Sequence, residues 1–365
     1  MAEVGFSRRS LFKVGGGAAA GLALAGTGAA VARGVGQGAA ADPQIPVSKA
    51  FDLKDPADAL LMHKQAWCPS VMQSFGIDHL NGHLYVVQVM FNPDDGVPYS
   101  KRRKEGDLAV TKLSLDGSTK LGRMYLRGFG HGAQIGVEPT AKGSAPYIWV
   151  EYDSKVNKEG KVGYGQKVCR IKYVGPDTGK PPRSFHWDND TDRKDMDFQD
   201  KMPDLSTLPG SGSISSPRAV IDPVNRRLML RLTRGGGHQA AVYDLDHAAE
   251  NQPSKLVGFR DKLPQTGTSQ GFCLFGSYAY LLEGNSYKNG GPGDPDDKGN
   301  TYITRVDLNT GEKTRELTRA LKSLTYREPE GMGIHATDNP RLCFAFSSGA
   351  SNDRRVNIAY KDKLV

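Results

Sequence analysis

Two carboxylates and an arginine flank a proline in the segment Arg327-Glu328-Pro329-Glu330-Gly331. Residues at positions i and i+2 of a strand lie on the same face of that strand, so Glu328 and Glu330 could act together. Such a pair suits acid–base chemistry or metal binding, and it is also found in charged turns that lead into a strand. The choice depends on the side chains that the fold brings beside them.

Four further segments place polar side chains in front of a short apolar run. In each of them a turn and a second, aromatic-rich run follow, and the polar side chains are Gln73, His131 with Gln134, Arg218, and Gln270. Helical periodicity is scarce, with 55–65 and 316–324 as the best short candidates. Repeats of about 60 residues with three or four strands each are typical of propeller blades.

The repeat therefore predicts an all-β fold, a five-bladed β-propeller that forms a single domain over residues 42–365. Its blades are expected to open near residues 73, 131, 216, 269 and 327. A β-sandwich whose segments resemble one another by accident is the alternative.

The first 41 residues have the pattern of an export signal. Arg8 and Arg9 precede the uncharged, Gly/Ala-rich run 14–32, and small-residue cleavage sites follow at 30–32 and 39–41. This pattern predicts a cleaved twin-arginine signal peptide with a short linker, and a mature protein that is secreted or associated with the cell wall. A disordered tail or an uncleaved anchor is the alternative. Beyond this segment we expect no membrane span.

The chain carries a formal charge of +8. Without residues 1–41, which hold four cations and one anion, the charge falls to about +5. This mild basic excess suits an anionic partner such as a cell-wall polymer, and it does not call for nucleic acid. We expect the mature protein to be a monomer.

Cysteines and acidic runs bear on metals and redox state. Cys68, Cys169, Cys273 and Cys343 lie far apart without a C-x-x-C pair, which argues against zinc, and both disulfides and buried free thiols are compatible with them. The run 188–192 begins like a calcium loop, but Arg193 and Gln199 stand where glycine and glutamate are expected, and 293–300 is a second acidic loop. We predict solvated loops and no cofactor or metal, with calcium as the alternative.

The polar openings of all five repeats take part in a family resemblance. The motifs are Gln73-Ser74-Phe75, Gly130-His131-Gly132-Ala133-Gln134, Ser269-Gln270-Gly271-Phe272 and Arg327-Glu328-Pro329-Glu330-Gly331. They resemble the family named for teichoic acid biosynthesis protein C. The propeller of that family is shared with receptor-binding proteins of staphylococcal phages. The resemblance extends from about residue 64 to the C-terminus. It implies a cell-surface context and a phosphate-rich wall glycopolymer as the ligand.

In a propeller the first strand of each blade lines the axis, so the residues that open the blades gather at one mouth. Arginine forks bind phosphate oxygens and amides bind hydroxyls, which suits a sugar or polyol phosphate. We predict substrate binding by Gln73, Gln134, Arg218, Gln270 and Arg327, with Trp67 and His238 reaching the rim. Hydrogen bonding within the protein is the alternative role for each of them.

The residues that gather at this mouth also include candidates for catalysis. His131 is the candidate general base, and Glu328 or Glu330 is the candidate acid, for hydrolysis of a glycosidic or phosphodiester bond. Lyase chemistry on a uronate polymer is a second possibility, and G-x-S-x-G, the motif of a serine nucleophile, is absent. The alternative to an enzyme is a lectin-like protein or a wall-assembly protein that binds teichoic acid without cleaving it.

Overall fold

The computed structural model describes residues 44–91, 95–176, 180–202, 208–250, 256–287 and 300–365. The predicted signal segment 1–41 and residues 293–299 of the second acidic loop lie outside these ranges. Within the described ranges, no helix is both long and apolar enough to cross a membrane.

Short strands dominate the described residues. In chain order they are β1 (Asp58–Lys64), β2 (Met72–Asp78), β3 (His83–Val89), β4 (Leu108–Ser114), β5 (Lys120–Arg127), β6 (Gly136–Glu138), β7 (Tyr147–Val156), β8 (Gly163–Lys172), β9 (Arg183–His186), β10 (Gln199–Asp200), β11 (Ile214–Asp222), β12 (Arg227–Arg234), β13 (Gly237–Asp244), β14 (Leu256–Leu263), β15 (Ser269–Phe275), β16 (Tyr278–Glu283), β17 (Tyr302–Asp307), β18 (Lys313–Leu317), β19 (Glu328–His335), β20 (Arg341–Ser348) and β21 (Arg355–Lys361). The helices are α1 (Tyr99–Glu105), α2 (Asp190–Asp195) and α3 (Leu245–Ala249).

These strands form five sheets, and the chain is a five-bladed β-propeller as the repeat predicts. Blade 1 is β2-β3-β4-β5 with β9 at its edge, blade 2 is β6-β7-β8-β10, blade 3 is β11 to β14, and blade 4 is β15 to β18. Blade 5 is β19-β20-β21, and β1 is its outermost strand. Because β1 comes from the start of the domain and β21 from its end, their pairing closes the ring.

The closure corrects one local prediction. Residues 58–64 lie in a strand and not in the short helix suggested for 55–65, because β1 pairs antiparallel with β21, with Asp58 opposite Tyr360. The second helical candidate, 316–324, begins at the end of β18 and continues as turn and coil.

The inner strands approach one another closely at the axis, and glycines make the approach possible. A Cβ atom on Gly271 of β15 would lie 2.6 Å from the Cα of Gly331 in β19. Gly331 has φ +80°, and its own Cβ would lie 2.8 Å from the Cα of Ser74 in β2. Blades 1, 4 and 5 therefore meet through backbone atoms, and packing fills the axis at this level.

The cysteines and the first acidic run have ordinary structural roles. All four cysteines are buried free thiols. Asn189 caps α2 by accepting a hydrogen bond from the Asp192 amide at 3.0 Å, and the Asp192 carboxylate accepts one from the His186 amide at 2.8 Å. No group of three or more His, Cys, Asp or Glu side chains within the described ranges is arranged to hold a metal ion.

Candidate functional site

We call the face where the five inner strands begin the mouth. The blade-opening side chains predicted from the sequence all lie there, at the starts of β2, β6, β11, β15 and β19 or in the segments before them. They are buried, with exposed fractions from 1% for Gln134 to 6% for Arg218. The fold therefore brings them around one axis, but as a packed polar layer and not as an open ring.

Gln134 connects three blades across the axis. Its amide nitrogen donates to the carbonyl of Met332 in blade 5 at 2.9 Å and to that of Ile135 at 3.1 Å. Its amide oxygen accepts from the backbone N–H of Phe272 in blade 4 at 3.2 Å. This placement favours a structural role over ligand binding.

The two other glutamines also bond to backbone carbonyls. The side-chain amide of Gln270 donates to Gly284 at 2.9 Å, and that of Gln73 donates to Val71 at 3.3 Å. Both residues hold the segments around the mouth in place, because each of these carbonyls lies in or next to a connecting loop.

Arg327 ties blade 5 to blade 4. Its guanidinium donates to the Ala320 carbonyl at 2.7 Å, to the Thr301 hydroxyl at 3.0 Å and to the Thr318 carbonyl at 3.2 Å. It also lies 4.2 Å from the centre of the Phe346 ring, and burial lowers the pKa of Arg327 to about 10. These contacts favour a structural role for Arg327 over the predicted phosphate contact.

Arg218 forms a buried ion pair with Glu151, a residue that the sequence analysis missed. Its Nη1 lies 2.8 Å from the Glu151 Oε2 atom, and the Glu151 side chain is fully buried. The carboxylate also accepts the backbone N–H groups of His131 at 2.9 Å, Gly132 at 2.7 Å and Gly165 at 2.7 Å. One carboxylate thus fixes the opening of blade 2 and neutralises an arginine of blade 3.

His131 packs inside this cluster. The centre of its ring lies 5.3 Å from that of Tyr164, and the Arg218 guanidinium lies 5.6 Å from the same tyrosine ring. Gly130 has φ +147°, and a Cβ atom there would lie 2.5 Å from the Glu151 carboxyl carbon. The glycine-rich opening of blade 2 is therefore required for backbone N–H groups to reach the carboxylate.

Arg231 is the second residue that the sequence analysis missed, and it lies directly opposite Arg218 in the pairing of β11 with β12. Its Nη2 donates to the Gln265 amide oxygen at 2.8 Å and its Nη1 to the Ser269 hydroxyl at 3.2 Å. Its Nε atom is buried and has no hydrogen-bond partner. Among the described residues, no carboxylate comes within ion-pair distance of it.

The charge of Arg231 is therefore poorly compensated. Burial and the positive charge of Arg218 lower the pKa of Arg231 to about 10, against a smaller opposing effect of Glu283. An arginine within the apolar run Leu228-Met229-Leu230-Arg231-Leu232 was the signal in the sequence. It was missed because an arginine in the middle of an apolar strand was interpreted as part of the strand pattern.

His238 lies beside Arg231 at the same junction. Its Nδ1 is 3.2 Å from the Thr233 hydroxyl. Burial and the charge of Arg231 lower the pKa of His238 to about 4, so the imidazole is neutral at neutral pH. We call Arg231, His238, Gln265 and Ser269, between blades 3 and 4, the anion cleft.

Glu328 and Glu330 share surroundings in blade 5. They are 4% and 1% exposed. Burial raises the pKa of Tyr326, and the negative charges of Glu328 and Glu330 raise it further. The Arg354 guanidinium lies 3.4 Å from the centre of the Tyr326 ring.

Trp67 is half-buried and contacts two cations. The Arg123 guanidinium lies 4.5 Å and the Lys120 ammonium 5.2 Å from the centre of an indole ring. These cation–π contacts already use the aromatic surface that was predicted to stack on a sugar.

Comparisons with known proteins support the fold. The family model described as the phage 5-bladed beta propeller receptor binding platform domain matches residues 71–173. The tail fiber of Staphylococcus aureus phage P68 has a solved structure that superposes with a TM-score of 0.60 at 20% identity, covering 86% of this chain and 54% of the fiber. The chain thus spans about half the length of that fiber.

Other solved structures are more distant. TolB from Acinetobacter baumannii has a TM-score of 0.35 at 14% identity, with 80% of this chain and 55% of TolB covered. The catalytic domain of a Coprinopsis cinerea GH62 α-L-arabinofuranosidase has a TM-score of 0.37 at 10% identity, with 85% and 97% covered. Scores this low carry no argument about function. Among curated proteins, none matches the sequence. In fold, this chain is similar to a propeller that phages use for receptor binding.

Proposed function

We propose that the protein binds an anionic cell-surface glycopolymer at the mouth of the propeller, with a phosphate or carboxylate group of the polymer in the anion cleft. The observation that carries the proposal is Arg231, a guanidinium with a buried, unpartnered Nε atom and no described carboxylate within ion-pair distance. A polyol phosphate of the teichoic acid type has the required chemistry.

An anion in the cleft would counteract burial and the positive charge of Arg218, the two effects that now lower the pKa of Arg231. It would accept a charge-assisted hydrogen bond from Nε, and it would offset the repulsion between Arg231 and Arg218. The Gln265 amide, the Ser269 hydroxyl and the neutral imidazole of His238 offer donors and acceptors for the hydroxyl groups next to the anion. The likeness to a phage receptor-binding domain supports a role at a cell surface.

Two predictions from the sequence, on export and on hydrolysis, are part of this proposal. The twin-arginine segment 1–41 would export the protein to the cell surface. Hydrolysis of the bound polymer is the second candidate function, and the observation that favours it is the pair of buried carboxylates, Glu328 and Glu330, beside Tyr326 at the same mouth. In that case His131 and Glu330 would act as the base and the acid.

Calorimetric titration with poly(glycerol phosphate), and with neutral dextran for comparison, tests the proposal. We expect the wild-type protein to bind only the phosphate polymer. Replacing Arg231 by Met should weaken binding by about tenfold or more, since one charge-assisted contact is lost. Arg226→Met is the matched control, because it removes one positive charge from the same blade at the opposite end of the strands, where Arg226 pairs with Asp246.

Each outcome bears on the assignment. Absence of binding by the wild-type protein, or equal weakening by Arg231→Met and Arg226→Met, would overturn the anion cleft. Size-exclusion analysis of the polymer after incubation separates the two candidate functions. An intact polymer supports binding alone, whereas fragments that disappear with Glu330→Gln support hydrolysis.

A further inference from the structure

A groove of about 440 Å³ lies at the outer rim of the mouth, between blade 1 and the insertion formed by β9 and α2. The insertion leaves blade 2 after β8 and adds β9 to blade 1 as a fifth strand, parallel to β5. Arg127 at the end of β5 and His186 at the end of β9 line the groove. Trp187, which follows β9, and Arg102 of α1 line it as well. Its volume lies in the range of about 300–1,000 Å³ that is usual for ligand sites.

The buried carboxylate of Asp107 holds the two arginines of the groove in fixed positions. The carboxylate of Asp107 is 2.7 Å from Arg102 and 2.8 Å from Arg127, and it also accepts the backbone N–H of Gly128 at 3.1 Å. The Nε of Arg127 donates to the Ser184 hydroxyl at 2.8 Å. A guanidinium held in this way, such as that of Arg127, can bind the hydroxyl groups of a sugar with its remaining N–H groups.

An indole completes the groove. Trp187 is half-buried, and its ring lies 5.3 Å from the ring of Tyr152. Gly128 has no side chain at the point where a Cβ atom would lie 3.0 Å from the Trp187 Nε1 atom. The indole is thus supported from the protein side, and an aromatic ring beside fixed hydroxyl-binding groups suits the apolar face of a pyranose.

The charge of the groove distinguishes it from the anion cleft. Two arginines line it together with three carboxylates, those of Asp107, Glu105 and Asp188, which gives a formal charge of −1 with His186 neutral. Arg102 has a further carboxylate partner in Asp95 at 2.8 Å. A phosphate or a uronate is disfavoured here, because every arginine of the groove already has an acidic partner.

We propose that this groove is a second binding site, which takes a neutral pyranose ring stacked on Trp187, with its hydroxyl groups on Arg127 and His186. The site does not depend on the anion cleft, because blade 2 separates the two and they select ligands of different charge. A glycopolymer with sugar substituents could contact both sites across the same face.

The test uses the full chain with the methyl glycosides of glucose, galactose and N-acetylglucosamine, each without phosphate. We expect saturation-transfer NMR to detect at least one of them, with a dissociation constant on the order of 1 mM. Trp187→Ala should weaken that binding by about tenfold, and Trp187→Phe, which keeps an aromatic ring, by less. His186→Ala removes an exposed side chain and should weaken binding without affecting folding.

Arg231→Met is the control for the other site and should bind the glycosides as the wild type does. The proposal is overturned if the wild-type protein binds none of the glycosides, or if Trp187→Ala and His186→Ala both bind with wild-type affinity. Tighter binding of glucose 6-phosphate than of methyl glucoside, lost in Trp187→Ala, would overturn the assignment of a neutral ligand. If Arg231→Met loses binding of poly(glycerol phosphate) but still binds the glycosides, the result supports a sugar site that is separate from the anion cleft.

Discussion

Arg218 and Arg231 face each other across the first two strands of blade 3, yet only one of the two guanidinium groups has a carboxylate partner. Arg218 pairs at 2.8 Å with Glu151, a buried carboxylate of blade 2. Arg231 donates to an amide and a hydroxyl in the segment that leads into blade 4. The two junctions of blade 3 therefore differ in how their arginine is compensated.

The half-buried guanidinium of Arg231 lacks a carboxylate partner, and its Nε atom has no hydrogen-bond partner, which costs free energy. The buried guanidinium of Arg327 also lacks a carboxylate, but carbonyls and a hydroxyl accept its hydrogen bonds. Blade 4 shows the purely structural arrangement. Glu283 accepts the backbone N–H of Thr266 at 2.7 Å and its hydroxyl at 2.9 Å, and it lies 3.4 Å from Arg315. The comparison separates an arginine that holds two blades together, Arg218, from one that is open to a ligand, Arg231.

The largest effect is expected from Glu151→Gln. Glutamine has one acceptor oxygen, and its NH2 group would face N–H donors whose hydrogen bonds the carboxylate now accepts. In addition, Arg218 would keep a buried charge without a partner. We expect the free energy of unfolding to fall by about 3–5 kcal/mol, measured by urea denaturation at neutral pH. Glu312→Gln, at an exposed position, should change it by less than about 0.5 kcal/mol. Equal effects of the two substitutions would show that the ion pair does not hold the junction.

The double variant Glu151→Gln/Arg218→Met sharpens the comparison. If the loss comes partly from an unpaired buried arginine, removing that arginine should restore about 1–3 kcal/mol of the free energy of unfolding relative to Glu151→Gln alone. The same denaturation experiment measures it. A double variant that is less stable than Glu151→Gln would mean that Arg218 contributes through its packing on Tyr164 and not through its charge.

The propeller could be predicted from the sequence because its signal is repeated. Five polar openings, each followed by paired strands, indicate blades even where a single strand is ambiguous. β1 was missed for the opposite reason, since it has no repeat to identify it. Residues 58–64 become a strand through pairing with β21, at the far end of the chain, and such tertiary pairing overrides local preference.

For the site, the sequence could predict position along the fold but not side-chain contacts, for a related physical reason. Repeat position correctly placed Gln134 and Arg218 at the mouth, but it could not show which atoms their side chains contact. Glu151 and Arg231 both lie on second strands, and their importance depends on register with a neighbouring strand or loop. A search of the strand opposite each opening, for a charged residue within an apolar run, would have found Arg231.

Arg231→Met should have little effect on stability, in contrast to Glu151→Gln. The substitution removes a half-buried, poorly compensated charge and two hydrogen bonds to neutral groups, and these changes oppose each other. We expect the free energy of unfolding to stay within about 1 kcal/mol of the wild type, by the same urea denaturation. A loss as large as that of Glu151→Gln would make Arg231 a structural residue and remove the distinction between the two junctions.

The smallest effect is expected on the pKa of His238 in the variant Arg231→Met. Burial first, and then the charge of Arg231, lower the pKa of His238 to about 4, below its ordinary value of 6.5. Because the unfolded chain binds this proton first, the contribution of His238 to stability is present above pH 6.5 and is lost as the pH falls toward about 4. In Arg231→Met the pKa of His238 should rise but stay below 6.5, since burial persists.

NMR titration of the imidazole C–H signals measures this shift. His335 provides the internal control, because its pKa of about 4 has other causes, namely burial, Arg341 and His79, and should not move in Arg231→Met. An unchanged pKa of His238 would mean that the positive charge of Arg231 does not act on the imidazole. Extensive dialysis followed by addition of phosphate then tests whether a bound anion is the reason, because a bound anion that neutralises Arg231 would make the pKa of His238 differ between the two conditions.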